Sequence, residues 1–346
     1  MSESCSFPCH LYMLYINEKG EIYPCPRAPQ NNLIGYVYEP HIYHKIVNYE
    51  PNFCECSICS IRTANQEEKS QGVINTNIEI GGECNAACVY CFQKTLSTFR
   101  KHFPYFRQLK SFLGELSHLK FSTIFGGEVT IQPETLDIIS CVKQLYGTQV
   151  TVVTNGYIPL KKYDLLCDAI ENFQVSFYGF SDTSVRIISK MNLNVIKSFC
   201  NYVSDKHHSL DVKFIMSPMV IQELVPFLEW SVALNVSHVM IYYAILPSKD
   251  YEETGRRDVS SFDSLIPEYW GPIIERLAIE IKAFFIKNKA LIKEKQINYI
   301  INHEVLNILH IPYTFLDELG ISQEKSISIS CKAWKPILEN ISGTSL

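Results

Sequence analysis

Three cysteines, Cys84, Cys88 and Cys91, stand at the spacing C-x3-C-x2-C in Ile78-Glu-Ile-Gly-Gly-Glu-Cys84-Asn-Ala-Ala-Cys88-Val-Tyr90-Cys91-Phe-Gln93. Three thiolates on one tight loop can hold three corners of an iron–sulfur cube, because soft thiolate ligands select such clusters. No fourth cysteine follows within the loop. A cube bound here would therefore keep one iron free of protein thiolate, an open position able to bind and activate a small molecule. The alternatives are a zinc knuckle or buried structural thiols. Zinc wants a fourth Cys or His close by, and the next histidine, His102, falls on a different expected element.

The elements around this loop alternate as a parallel sheet requires. Asn77 to Ile80 is a short β-type run leading into the loop. A helix follows over 105–119, a strand over 120–125, a helix over 133–146 and a strand over 149–153. Then come a helix over 160–172, a strand over 173–178, one helix over about 183–204, a strand over 211–216, a helix over 221–234 and a strand over 238–245. Six βα repeats make an α/β fold, an incomplete TIM-like (β/α)6 barrel. Such barrels place chemistry at the C-terminal ends of their strands. Residues 262–346 read as mostly helical, with an amphipathic stretch from 273 to 286.

At the cysteine loop and downstream of it, over residues 77 to 246, the chain resembles the radical S-adenosylmethionine (radical SAM) superfamily. Its hallmark is C-x3-C-x-Φ-C with Φ aromatic, and Tyr90 occupies Φ. The resemblance implies that Cys84, Cys88 and Cys91 bind a 4Fe–4S cluster whose unique iron chelates SAM. It also assigns Gly126-Gly127-Glu128, at the end of the second strand, to the motif that contacts the SAM amino group. Val129 stands where the family usually has proline. Asn155 in Thr154-Asn155-Gly156 matches a pocket-lining position, and an Asn-Gly turn is the plain alternative. Ser176 and Arg186 match positions that hydrogen-bond the ribose or carboxylate of SAM and pair with its carboxylate. Tyr178 replaces a common aspartate, and Arg186 stands one residue wider than usual from Asp182.

Nine of the thirteen cysteines precede residue 92. Six of them flank a hairpin expected from Leu11-to-Ile16 and Glu21-to-Tyr23 strands: Cys5, Cys9 and Cys25, then Cys54, Cys56 and Cys59. The order Cys9-x10-Gly20-x4-Cys25 resembles the start of the SPASM/Twitch auxiliary-cluster domain. That resemblance implies at least one auxiliary 4Fe–4S cluster on Cys9, Cys25, Cys56 and Cys59, with Cys5 and Cys54 as alternates. Here the cysteines precede the barrel, whereas the family's module follows it, and they are fewer than the two-cluster pattern. A zinc site recruiting His41 or His44 is the structural alternative. The expected organisation is a Cys-rich module over 1–61, a linker over 62–76, the barrel over 77–250 and a helical extension over 251–346. Cys331 breaks the helical pattern and is a candidate hydrogen-atom donor; a buried thiol is the bland reading.

The composition fits an enzyme with a large core. The chain has 346 residues, 47% of them apolar, which excludes global disorder. Its net charge of −5, with no basic stripe, argues against nucleic acid as a partner. No apolar run is long enough for a membrane span, and no signal-peptide pattern opens the chain, so the expected location is cytoplasmic. The resemblance implies reductive cleavage of SAM to a 5′-deoxyadenosyl radical, with flavodoxin or ferredoxin as electron donor. For the SPASM/Twitch type it implies a peptide or protein substrate, matured by crosslinking, thioether formation, epimerisation or oxidation, with a separate precursor-recognition protein as a further partner. A small-molecule dehydrogenase or cofactor-biosynthesis enzyme is the second expectation. A zinc-stabilised binding scaffold without radical chemistry is the third.

Overall fold

The structure is a computed structural model that describes residues 13–23, 33–47, 75–81, 83–88, 91, 105–116, 121–147, 149–243, 270–301, 303–312 and 314–321. The expectations for Cys5, Cys9, Cys25, Cys54, Cys56, Cys59, Tyr90 and Cys331 lie outside those residues.

The chain divides into two compact units, and the division falls inside the cysteine loop: residues 1–85, 97–154 and 160–173 form the first, and 86–96, 155–159 and 174–346 the second. In the first, β1 (Met13–Ile16) and β2 (Glu21–Tyr23) pair antiparallel as the expected hairpin, and β3 (Gly35–Tyr36) adds to β2. Asn17 makes the turn, its side-chain oxygen accepting from the Lys19 and Glu21 amides. Strand β1 does more than close a hairpin. It pairs parallel with β4 (Asn75–Glu79), setting Met13 opposite Asn75 and Ile16 opposite Ile78. β4 pairs parallel in turn with β5 (Phe121–Phe125), and β5 with β6 (Gln149–Thr154). The order in this unit is β6-β5-β4-β1-β2-β3. Helix α1 (Ile42–Val47) follows β3, and α2 (Phe106–Glu115), α3 (Thr135–Tyr146) and α4 (Tyr163–Ala169) follow β4, β5 and β6. Gly147 stops α3 in the left-handed conformation, at φ 58°, its amide returning to the Lys143 carbonyl.

In the second unit, β7 (Asn172–Phe177, which belongs here from Gln174 on) stands beside β8 (Ser209–Met216), β8 beside β9 (His238–Tyr243), and β9 beside β10 (Asn298–Ile301). The pairs β8–β9 and β9–β10 are parallel. Every second residue of β8 (Leu210, Val212, Phe214, Met216) is fully buried, the period-2 signature of a strand with helices on one side. Phe214, Phe177, Phe180, Phe227 and Trp230 form an aromatic cluster there, with neighbouring rings 5.0–6.1 Å apart. Each such ring contributes about 1.5–3 kcal/mol by leaving water.

One expectation needs correction. The single helix read over 183–204 is two, α5 (Asp182–Ser189) and α6 (Leu193–Asp205). Lys190 adopts the left-handed conformation between them, and the Asn192 side chain caps α6 by accepting from the Asn194 amide. The C-terminal region is mostly helical as expected, with one strand added among the described residues. After α8 (Trp270–Glu294), strand β10 joins the sheet, and then α9 (His303–Ile308) and α10 (Phe315–Glu318) follow. The helix before β8 is α6, and α7 (Leu224–Ala233) precedes β9. The six βα repeats from β4 to β9 make the α/β class and the partial (β/α)6 succession, with helices at the C-terminal end. No helix among the described residues is long and apolar enough to cross a membrane.

Candidate functional site

In the first unit, β4 and β5 remain in register beyond their ends. The Ile80 amide donates to Phe125, Gly127 to Gly81 at 2.6 Å, and Glu128 to Glu83 at 2.7 Å. The segment leading to Cys84 therefore lies along Gly126-Gly127-Glu128. Gly126 makes this approach feasible: its φ is +155°, and a Cβ there would stand 2.6 Å from the Gly81 carbonyl oxygen. Gln132, which is buried, adds a second donor to the Glu83 carbonyl through its Nε2, at 3.0 Å. The residue just before Cys84 is thus held by two hydrogen bonds from one short stretch after β5.

Glu128 is completely buried. Its Oε1 accepts from the Thr130 amide at 3.1 Å, the Thr130 hydroxyl at 2.6 Å and the Thr154 hydroxyl at 2.6 Å. Those donors offset the cost of taking a carboxylate out of water. They also fix it at the joint ends of β5 and β6, where parallel sheets present their ligand-binding groups.

In the second unit, the Ala87 amide donates to Ser189 at 2.8 Å, and the Cys91 amide to the Cys88 carbonyl at 3.3 Å. Cys88 is buried, Cys84 and Cys91 are part-exposed, and none of the three is in a disulfide. The donor set fits an iron–sulfur cluster: three free thiols within eight residues of sequence, two of them reachable from solvent. Among the described residues no three Cys, His, Asp or Glu side chains already form a cation cage.

Asn155 is buried, and its Oδ1 accepts from the Tyr157 amide at 2.8 Å, with Gly156 at φ +68°. It makes the turn that its sequence suggested. Ser176 is buried near the end of β7, whereas Arg186 is exposed on α5. The residue that sequence reading missed is Glu223. Its carboxylate accepts from the Phe180 amide, the Ser181 amide at 3.1 Å, the Ser181 hydroxyl at 2.7 Å and the Ser184 hydroxyl at 2.7 Å. An internal carboxylate thus sits on the positive N-terminus of α5, beside the Ser181–Ser184 capping box. No local motif announces a partner 39 to 43 residues away. Thr154 and Gln132, 26 and 49 residues from their partners, were missed for the same reason, whereas Thr130 stands two residues from Glu128 without a motif to mark it.

Comparison with known proteins bears on this site directly. The Radical SAM superfamily model matches residues 78–225. The GTP 3′,8-cyclase of Limosilactobacillus fermentum is 27% identical over 179 residues, 40% of this chain and 52% of that protein. Among solved structures, Streptococcus suis SuiB bound to precursor peptide SuiA aligns over 86% of this chain and 65% of its own, at 12% identity and TM-score 0.49. Tagged anSMEcpe with bound AdoMet aligns over 65% of this chain and 63% of its own, at 12% identity and TM-score 0.47. The chain spans about half the length of the curated relative, and under two thirds of each solved chain. The segment that starts in β4, runs through the three-cysteine loop and Glu128, and ends just past Glu223 is the part of the chain that matches the radical SAM superfamily model.

Proposed function

We propose that this protein is an enzyme that cleaves SAM reductively and directs the resulting 5′-deoxyadenosyl radical at a C–H bond of a peptide or protein. The observation that carries the SAM chemistry is the pairing of the segment before Cys84 with Gly126-Gly127-Glu128, which joins the thiol loop to a buried carboxylate. Cys84, Cys88 and Cys91 would hold the cluster, with Tyr90 beside them. Glu128, Asn155, Ser176 and Arg186 would line the SAM pocket. A reduced cluster and SAM, when bound, supply a primary alkyl radical able to take hydrogen from unactivated carbon. The chain's own work is to bind, to orient and to exclude water. Glu128 supplies negative charge for an ammonium group from a position already fixed by three donors. The turn at Asn155-Gly156 presents backbone at the end of β6.

The peptide reading rests on the upstream cysteines. Cys9, Cys25, Cys56 and Cys59, with Cys5 and Cys54 as alternates, would carry an auxiliary 4Fe–4S cluster that removes the electron left on an oxidised substrate. Cys331 would be the hydrogen donor, and flavodoxin or ferredoxin the source of the first electron. A second reading, a small-molecule radical reaction, is favoured by the similarity to a GTP 3′,8-cyclase.

Replacing Cys84, Cys88 and Cys91 together with Ala is expected to abolish 5′-deoxyadenosine formation by anaerobic protein under strong reductant. Wild-type rates from that variant would overturn the assignment. Removing Cys25 and Cys59 should lower iron from about eight to about four per chain, with SAM cleavage retained and substrate turnover lost. Full iron content would remove the auxiliary cluster. Mass spectrometry of candidate peptides and of nucleotides after turnover decides between the two substrate classes.

A further inference from the structure

The face of β8 turned away from its buried hydrophobic residues carries Ser209, Asp211, Lys213 and Ile215. Polar groups on it pair with the neighbouring strands level by level. Ser209 meets Ser237 at 3.2 Å, and Asp211 meets the His238 ring at 2.8 Å. One level further along, Lys213 Nζ donates to Gln174 Oε1 on β7 at 3.2 Å, and Gln174 Nε2 points to the Met240 sulfur on β9 at 3.4 Å.

The first two levels are complete, and the third is not. Among the described residues Lys213 has no acidic partner. Asp211, the nearest carboxylate on its own strand, is engaged with His238. β7 offers only the neutral amide of Gln174, and β9 offers the thioether of Met240 and, one level down, His238. A thioether is a weak acceptor for an amide N–H. Burial, with no charge nearby to oppose it, pushes the Lys213 amine down to about 8. A part-buried ammonium whose one side-chain partner is a neutral amide lacks a counterion, which a ligand can supply. Lys213 Nζ lies 3.2 Å from the Gln174 amide, whose Nε2 is a second donor at the same level, so the two can address the two oxygens of one carboxylate. Ser176 shares this face of β7, two residues nearer the strand's C-terminal end.

We propose that Lys213 and Gln174 form a carboxylate-binding subsite on the open face of β7 and β8, and that it takes a carboxylate of the substrate. That the carboxylate belongs to the substrate rests on the function proposed above. The subsite itself does not require the cluster.

The test follows the Lys213 amine by NMR in the full chain labelled with carbon-13 lysine, its signal identified by its loss in Lys213→Met. Sodium acetate, inorganic phosphate and SAM are the probes. Saturable acetate binding should raise the Lys213 titration midpoint by about one pH unit, a tenfold coupling, with proton uptake near pH 8. Gln174→Leu should weaken that response several-fold. A response to phosphate but not acetate would replace carboxylate with phosphate and overturn the proposal, and a response to SAM alone would give the lysine to the cofactor. No shift with any probe would leave a structural lysine. These titrations use wild-type protein, so they stand even if a variant misfolds. If acetate binds but the protein does not cleave SAM, the subsite survives and the proposed activity falls.

Discussion

The hydroxyl of Tyr15, on β1, donates to the carboxylate of Glu79, the last residue of β4. Glu79 is buried, and the Tyr15 ring lies on Phe125 of β5 with centroids 6.0 Å apart. One side chain from the N-terminal hairpin therefore touches both strands that lead into the site. Burial first, and then the Glu79 charge, push the Tyr15 phenol well above its ordinary range. Tyr15→Phe keeps the stacking and removes the donor. It should cost about 1–3 kcal/mol in urea unfolding, the penalty for leaving a buried carboxylate short of a partner. A variant as stable as wild type would show that Glu79 is satisfied without it.

Gly126 and Gly114 should respond in opposite directions to the same substitution. Gly126→Ala places a methyl group 2.6 Å from the Gly81 carbonyl, at a φ that side chains rarely adopt. It should cost about 1–3 kcal/mol and weaken SAM binding, because the Cys84 segment must move. Gly114, in α2, has nothing within 4 Å of its Cβ position, so Gly114→Ala should gain about 0.5–1 kcal/mol. Thermal melts of the two variants side by side check both signs.

Glu223→Ala removes the acceptor shared by Phe180, Ser181 and Ser184. The expected loss is about 1–3 kcal/mol, since several part-buried donors are orphaned at once. Hydrogen exchange should localise the effect to the first turn of α5. Glu223→Gln, which keeps an acceptor oxygen, should recover part of it.

Lys213 gives stability a distinctive pH dependence. Its folded pKa, about 8, lies below the unfolded value of 10.5, so its burial penalty is complete below pH 8. As pH rises above 8 the folded state loses the proton first. The unfolded state then holds more protons, and stability increases with pH. Wild-type protein should therefore gain on Lys213→Met between pH 8 and about 10, where unfolded tyrosines begin to ionise. Above that, Tyr15, Tyr23 and Tyr299, all raised chiefly by burial, oppose the trend as their unfolded counterparts ionise. Equal slopes for the two proteins in chemical denaturation would contradict the lowered lysine.

The parts legible in the sequence are those written in local patterns. The hairpin at Asn17 to Gly20, the β-type run before Cys84 and the glycine pair before Glu128 depend on residues a few positions apart. What cannot be read there depends on distant partners. Nothing near Leu14 says that it will pair with Thr76. The run Asn298-Tyr-Ile-Ile is too short to separate a strand from a helix end until β9 lies beside it. Lys190 carries no left-handed preference, so the helical pattern runs on through the α5–α6 break, although Asn192 is a visible cap. At the candidate site, Glu128 is marked by its glycines, while Thr130 and Thr154, which hold it, carry no signal that separates them from other threonines.

The parallel pairing of β1 with β4 sets an order on assembly. Residue 13 must wait for residue 75 to leave the ribosome before its ladder can form, and a separation of that size makes the pairing a slow, late step. Until then β4 has a bare edge, with Ile78 and the backbone groups of Thr76 and Asn77 open to any other strand. The N-terminal hairpin thus shields β4 from neighbouring molecules as well as extending its sheet. A shortened chain starting at β4 would keep every cysteine of the three-thiol loop, yet expose a sticky edge and tend to self-associate.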